Sequence, residues 1–169
     1  IRDLSPLKEL SCLTALDIDH ALLLSDIEPL RGLVGLTSLS LRRCPAVAVL
    51  SALEGLTNLT SLSLSSDNQN IRDLRLIQGM TQLSRLDLSG EHLEPNFLED
   101  LSDLQALTSL TCLELRNTAV TDLEPLRGLH QLWSLSLSGN QVIEDLEPLR
   151  EMRSLRTLNL SYCRKLKSL

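Results

Sequence analysis

Few side chains in this sequence stand where they could carry out covalent chemistry. Asp17, Asp19 and His20 fall close together, and two carboxylates with an imidazole are a workable donor set for a cation. A solvated polar edge accounts for the same residues, because Asp17 and Asp19 alternate with Leu16 and Ile18 as the wet side of a half-buried strand does. Cys112 and Glu114 pair a thiol with a base. Activating that thiol calls for an imidazole alongside, and His20, His92 and His130 lie in other parts of the chain. No two histidines share the i,i+4 spacing of a metal-binding helix, and no strong nucleophile motif is present. The residues predict a non-enzymatic protein without cofactor or metal, whose function resides in its surfaces.

A repeat must position those surfaces. Leucine supplies 45 of the 169 residues, whereas Phe, Tyr and Trp occur once each, so the interior is one small packing solution used many times. Seven copies of Leu-x-x-Leu-x-x-Leu-x-Leu run through the chain, their third apolar residues being Leu16, Leu39, Leu62, Leu86, Leu113, Leu135 and Leu158. The intervals are 23, 23, 24, 27, 22 and 23 residues. A second block, Asp-Leu-x-Pro-Leu or nearly so, recurs at Asp3 to Leu7, Asp26 to Leu30, Asp122 to Leu126 and Asp145 to Leu149. Each Leu-x-Leu pair alternates with polar residues and predicts a short strand with one wet face. The Asp-Leu-x-Pro-Leu block predicts a tight helical turn, since Asp can cap backbone N–H groups and proline is tolerated where its missing donor has no partner. No turn buries its leucines alone, so successive copies stack their strands in parallel at about 4.8 Å.

Period and pattern together resemble the leucine-rich repeat from end to end. The short period and the Asp-Leu-x-Pro-Leu block are most similar to the internalin class and to the leucine-rich regulatory subunit of protein phosphatase 1. The resemblance implies an α/β curved solenoid. Seven short parallel strands would line the concave face, and short helical or 3-10 return segments the convex face. Residues 1–169 read as a single array, expected to be an excerpt of a longer solenoid lacking both polar caps. The inward residue after each strand, usually Asn in such repeats, is Asn only at Asn140; it is Ala21, Cys44, Asp67, Glu91, Thr118 and Cys163 elsewhere. Cys and Thr can fill that position, but a buried carboxylate is costly, so local rearrangement is expected around Asp67 to Asn70 and Glu91 to Glu99.

The repeat also fixes the cysteines. Cys44 and Cys163 hold the same inward position five repeats apart, about 24 Å by strand spacing and far beyond disulfide reach. Cys12 and Cys112 are four repeats apart, so all four thiols are expected free, which favours a reducing, intracellular and cytoplasmic setting. A cell-surface or secreted setting is the alternative, and the sequons Asn58-Leu59-Thr60 and Asn159-Leu160-Ser161 are no more than chance would supply. A net charge of -6 argues against nucleic acid, whose phosphates require a basic surface. No apolar run approaches the roughly 20 residues of a membrane span, so membrane insertion is not expected.

What remains is a protein partner. The side chains pointing off the strands form columns that tile the concave face, and serine is the commonest of them. The candidate contacts are Asp17, Asp19, Arg42, Arg85, Asp87, Glu114, Arg116, Asn159 and, at the end of the array, Trp133, Arg156 and Tyr162. Trp, Tyr and Arg dominate buried interfaces. Trp133 takes the place of Thr14, Thr37, Thr60 and Thr111 in other copies, and Arg156 is its equivalent in the next. An intramolecular cation–π stack between the two is the competing account. Residues 150–169 carry six basic side chains against one acid, while residues 1–149 carry ten against 21. That basic end suits either an acidic partner or the acidic body itself. The expectation is a protein-binding scaffold working through its concave face, with an extracellular adhesion or receptor repeat and a structural spacer as the rival readings. In the phosphatase subunit's family, binding uses acidic and aromatic concave residues; serines replace most of them here, so no binding residue is carried over.

Overall fold

The computed structural model describes residues 1–65, 74–90 and 98–167. The strands are β1 (Ala15–Asp19), β2 (Ser38–Arg42), β3 (Ser61–Ser63), β4 (Arg85–Asp87), β5 (Cys112–Glu114), β6 (Ser134–Ser136) and β7 (Thr157–Asn159). All seven belong to one parallel sheet in sequence order. Register is in step throughout: Leu16 lies opposite Leu39, then Leu62, Leu86, Leu113, Leu135 and Leu158. A slip of one residue would turn every leucine outward and every serine inward, which is why the register is so firmly set.

Each return segment is a single 3-10 turn of three residues, and no longer helix occurs among the described residues. The predicted Asp cap operates from one position before the turn's own N-cap. Asp3, Asp26, Asp100, Asp122 and Asp145 each accept the backbone N–H two residues on, at 2.8 Å in all five cases. Proline follows at Pro6, Pro29, Pro125 and Pro148, within the first turn where no N–H is required of it. Asp100 performs the same task without a proline, so the carboxylate rather than the ring is the common element. The Ser102 hydroxyl and N–H hold the Asp100 carboxyl below the usual carboxylate range, as those of Ser5 do for Asp3.

The leucines form one continuous core, with Leu39, Leu62, Leu86, Leu113 and Leu135 essentially inaccessible. By area each such side chain stabilises the fold by about 2 kcal/mol. At the terminal repeats the burial falls away, and Leu10 and Leu158 are exposed. The chain leaves the strands through left-handed residues, His20, Arg43, Asn117, Gly139 and Tyr162, with φ of 56°, 52°, 51°, 79° and 63°. This turns the following residue inward. Asn140, fully buried, there satisfies its whole amide: Nδ2 donates to Leu115 O (2.6 Å) and Leu137 O (2.9 Å), and Oδ1 accepts from Thr118 N–H (3.0 Å) and Oγ1 (2.6 Å). Cys44 and Cys163 offer a weaker version, each thiol reaching the equivalent carbonyl of the preceding repeat, Ile18 O at 3.9 Å and Leu137 O at 3.1 Å. The inward place is thus filled by Cys, Thr and Asn as expected. The rearrangements expected around Asp67 to Asn70 and Glu91 to Glu99 lie outside the described residues, except for buried Leu98, whose carbonyl accepts Ala119 N–H, and Glu99.

Candidate protein-binding surface

Alternation on each strand sends the leucines to the core and leaves three outward columns on the concave face. Between the leucines runs Asp17, Ser40, Ser63, Asp87, Glu114, Ser136 and Asn159, in register across all seven strands. On this face the Asp17, Asp19 and His20 cluster is committed to ion pairs. Arg43 donates to Asp19 through Nε (2.8 Å) and Nη2 (2.6 Å), His20 Nδ1 lies 3.4 Å from the same carboxylate, and Arg42 Nη2 reaches Asp17 at 3.3 Å. The Arg43 bonds hold the Asp19 carboxyl below its ordinary range. Such exposed pairs fix geometry more than they add stability.

At the centre, Asp87 and Glu114 face each other across β4 and β5, flanked by Arg85 and Arg116. Asp87 accepts Ser89 N–H at 3.0 Å, and Arg116 Nε lies 3.5 Å from Glu114. Asn159 makes the same local bond as Asp87, accepting Ser161 N–H at 3.0 Å. Burial, and then the Glu114 carboxylate, push the Cys112 thiol up, opposite to what a nucleophile requires.

The column that enters the strands holds a feature not visible in the sequence. Thr37, Thr60, Ser84 and Thr111 each donate their hydroxyl to the carbonyl of the equivalent residue one repeat back, at 3.0 to 3.1 Å. A ladder of hydroxyls therefore runs from Thr14 to Thr111. The next rungs are Trp133 and Arg156, which keep the backbone bonds, Trp133 N–H to Thr111 O (2.9 Å) and Arg156 N–H to Trp133 O (2.8 Å), but have no hydroxyl to give. Trp133 is 43 % exposed, a large apolar group on a position otherwise reserved for small hydrogen-bonding side chains. Arg156 has no ion pair among the described residues. Tyr162, 73 % exposed, sits beyond the far end of β7, so Trp133 and Tyr162 frame the last two strands from opposite rims. Of the six basic residues at this end, Arg150, Arg153 and Lys167 are paired with Glu147, Glu151 and Glu144, at 3.1, 3.6 and 2.8 Å.

Two features escape sequence reasoning. Leu22, Leu23 and Val49 form exposed apolar points where the chain leaves the first two strands. A signal existed, since Val49 and Ser51 stand where Asp26 and Glu28 stand one repeat earlier. The other, among the described residues, is a set of three buried side-chain polar atoms without hydrogen-bond partners, Ser40 Oγ, Arg42 Nε and Ser136 Oγ, for which the sequence holds no signal.

Strand, 3-10 turn and inward leucines repeated seven times define a leucine-rich-repeat solenoid. Residues 108–151 match the family "Leucine Rich repeats (2 copies)". Among solved structures, internalin C2 from Listeria monocytogenes is 28 % identical with a TM-score of 0.79 over 95 % of this chain and 67 % of its own. Another internalin from that organism, inlF, is 27 % identical with a TM-score of 0.67, over 95 % of this chain and 51 % of its own. A leucine-rich-repeat protein from Leptospira interrogans shares the fold, with 18 % identity and a TM-score of 0.72, over 100 % of this chain and 51 % of its own. The chain thus resembles the internalins among leucine-rich-repeat proteins, and spans two thirds of one and about half of the other. No curated protein matches the sequence. Solenoids of this kind generally serve as scaffolds for protein–protein interaction.

Proposed function

We propose that this chain is a non-enzymatic interaction module that binds a polypeptide partner across its concave strands, anchored most strongly at the end framed by Trp133, Arg156 and Tyr162. The observation that carries the reading is the interrupted hydroxyl ladder. Four successive rungs spend their side chains on holding the neighbouring repeat, and the following two present an indole and a guanidinium instead. Aromatic and arginine side chains contribute most when a partner desolvates them, and here both rims of β6 and β7 supply one. The charged concave residues Asp17, Asp19, Arg42, Arg85, Asp87, Glu114 and Arg116, with the amide of Asn159, then set register and selectivity rather than affinity. The four free thiols support an intracellular setting as part of the same proposal. No helix among the described residues is long and apolar enough to cross a membrane.

The test is affinity capture from the source lysate with the wild-type chain and with a Trp133→Ala, Tyr162→Ala double variant whose folding is verified by circular dichroism and urea unfolding. A polypeptide retained by the wild type and lost from the folded variant is the expected outcome. Equal recovery on both would overturn the assignment of the interface to this end.

A further inference from the structure

Two of the three buried side-chain polar atoms without a partner among the described residues belong to residues that line one hollow. It has a volume of about 510 Å³ on the concave side of β1 to β4, and its walls include Asp17, Ser38, Ser40, Arg42, Ser63 and Asp87. Ser40 Oγ and Arg42 Nε are shut off from solvent and have no hydrogen-bond partner among the described residues. An orphaned buried donor or acceptor costs roughly 1–3 kcal/mol, and a pair of them in one hollow marks a place where a binding group is expected. The remaining bonds here are loose: Arg42 Nη2 to Asp17 at 3.3 Å and Ser63 Oγ to Asp87 at 3.4 Å. The Arg42–Asp17 pair is itself exposed, so a shift of the Arg42 head group costs little.

The geometry points to an extended, basic polypeptide segment as the occupant. This deepens the reading above and rests on it, adding the chemistry of the partner at the opposite end of the face. Ser40 and Arg42 are alternate residues of β2, about 7 Å apart along the strand, the spacing at which an extended partner repeats its main-chain groups. A partner carbonyl accepts from Arg42 Nε, and a partner N–H donates to Ser40 Oγ. Two carboxylates against one guanidinium leave the walls net negative. An anionic ligand would face both Asp17 and Asp87, whereas a Lys or Arg side chain of the segment finds Asp87 holding, among the described residues, only a backbone N–H and a distant serine hydroxyl. Residues 1–149, with 21 acids against ten bases, draw the same partner from a distance. No aromatic side chain floors the hollow, which disfavours a flat apolar ligand.

The experiment titrates the 15N-labelled chain with three otherwise identical peptides, Gly-Ser-Lys, Gly-Ser-Gln and Gly-Ser-Glu repeats, and follows the Arg42 Nε–H resonance and the backbone amides. The expected result is a saturable shift of Arg42 Nε–H and the Ser38–Arg42 amides with the lysine peptide alone. Asp87→Asn, which retains an oxygen for Ser89 N–H, should weaken that peptide about tenfold. Ser40→Ala, which removes an orphan and leaves the fold at least as stable, should weaken it several-fold. A preference for the glutamate peptide, equal shifts with lysine and glutamine, or a silent Arg42 Nε–H overturns the inference. Loss of captured partner in the Trp133→Ala, Tyr162→Ala variant alongside a silent Arg42 would sink this inference and spare the reading it rests on. Peptide binding at Arg42 with capture unaffected by that variant would do the reverse.

Discussion

Repeats two to five and repeats six and seven use the column entering the strands in opposite ways. In the first group a hydroxyl at each rung ties its repeat to the one before; in the second the backbone alone makes that tie, while Trp133 and Arg156 extend outward. Because the main chain is bonded alike in both, the difference isolates what the side chain is for. A repeat array carries its own internal control, and a residue that departs from its column without disturbing the backbone is free to answer to something other than folding.

The sharpest way to calibrate that contrast is a side chain in the same C-terminal repeats that does answer to folding. Asn140→Ala leaves Thr118 N–H buried without a partner and takes one donor each from Leu115 O and Leu137 O, so urea unfolding should show a loss of about 2–4 kcal/mol; a loss below roughly 0.5 kcal/mol would mean that buried hydrogen bonding does not organise these repeats. Within the ladder, Thr60→Val removes one hydroxyl bond at an exposed rung and should cost about 1 kcal/mol or slightly less, with partner capture unchanged. Trp133→Thr moves the boundary between the two groups. The restored hydroxyl offsets part of the lost indole packing, stability should stay within about 1 kcal/mol of wild type, and capture should fail; a variant that binds normally would erase the functional side of the comparison. The smallest effect concerns acid. Asp19 has a folded pKa below its unfolded value, chiefly through its hydrogen bonds with Arg43, so its contribution is present above the unfolded carboxylate pKa and disappears as pH falls through the folded one. Urea midpoints measured from neutral pH downward should therefore fall slightly less steeply for Asp19→Asn than for wild type.

The strands and their register were legible because a leucine in the wrong phase of a two-residue alternation has nowhere to go, and seven in-phase copies admit one solution. The spacing alone puts Leu16, Leu39 and Leu158 in one column, and the Asp-Leu-x-Pro-Leu blocks at Asp26, Asp122 and Asp145 form capped 3-10 turns. The threonine column could be recognised as a column but not as a ladder. Whether Thr60 Oγ1 points to water or to Thr37 O depends on a rotamer, and the sequence pattern carries no rotamers. For the same reason Arg42 is recognisable as a charged candidate whereas its neighbour Ser40 looks like one more serine, although both line the same hollow and each holds an unsatisfied buried atom.

Gly139 bears on how such an array could be lengthened. A Cβ there would lie 1.9 Å from Asn117 Oδ1, displacing an amide that donates to Gly90 O at 3.3 Å. Repeats five and six are therefore fitted to one another as key to lock, and a duplicate of repeat five spliced in behind itself would set an asparagine against that amide. Copying a module is free only where the seam between modules is featureless; at this seam, growth by duplication demands a second change.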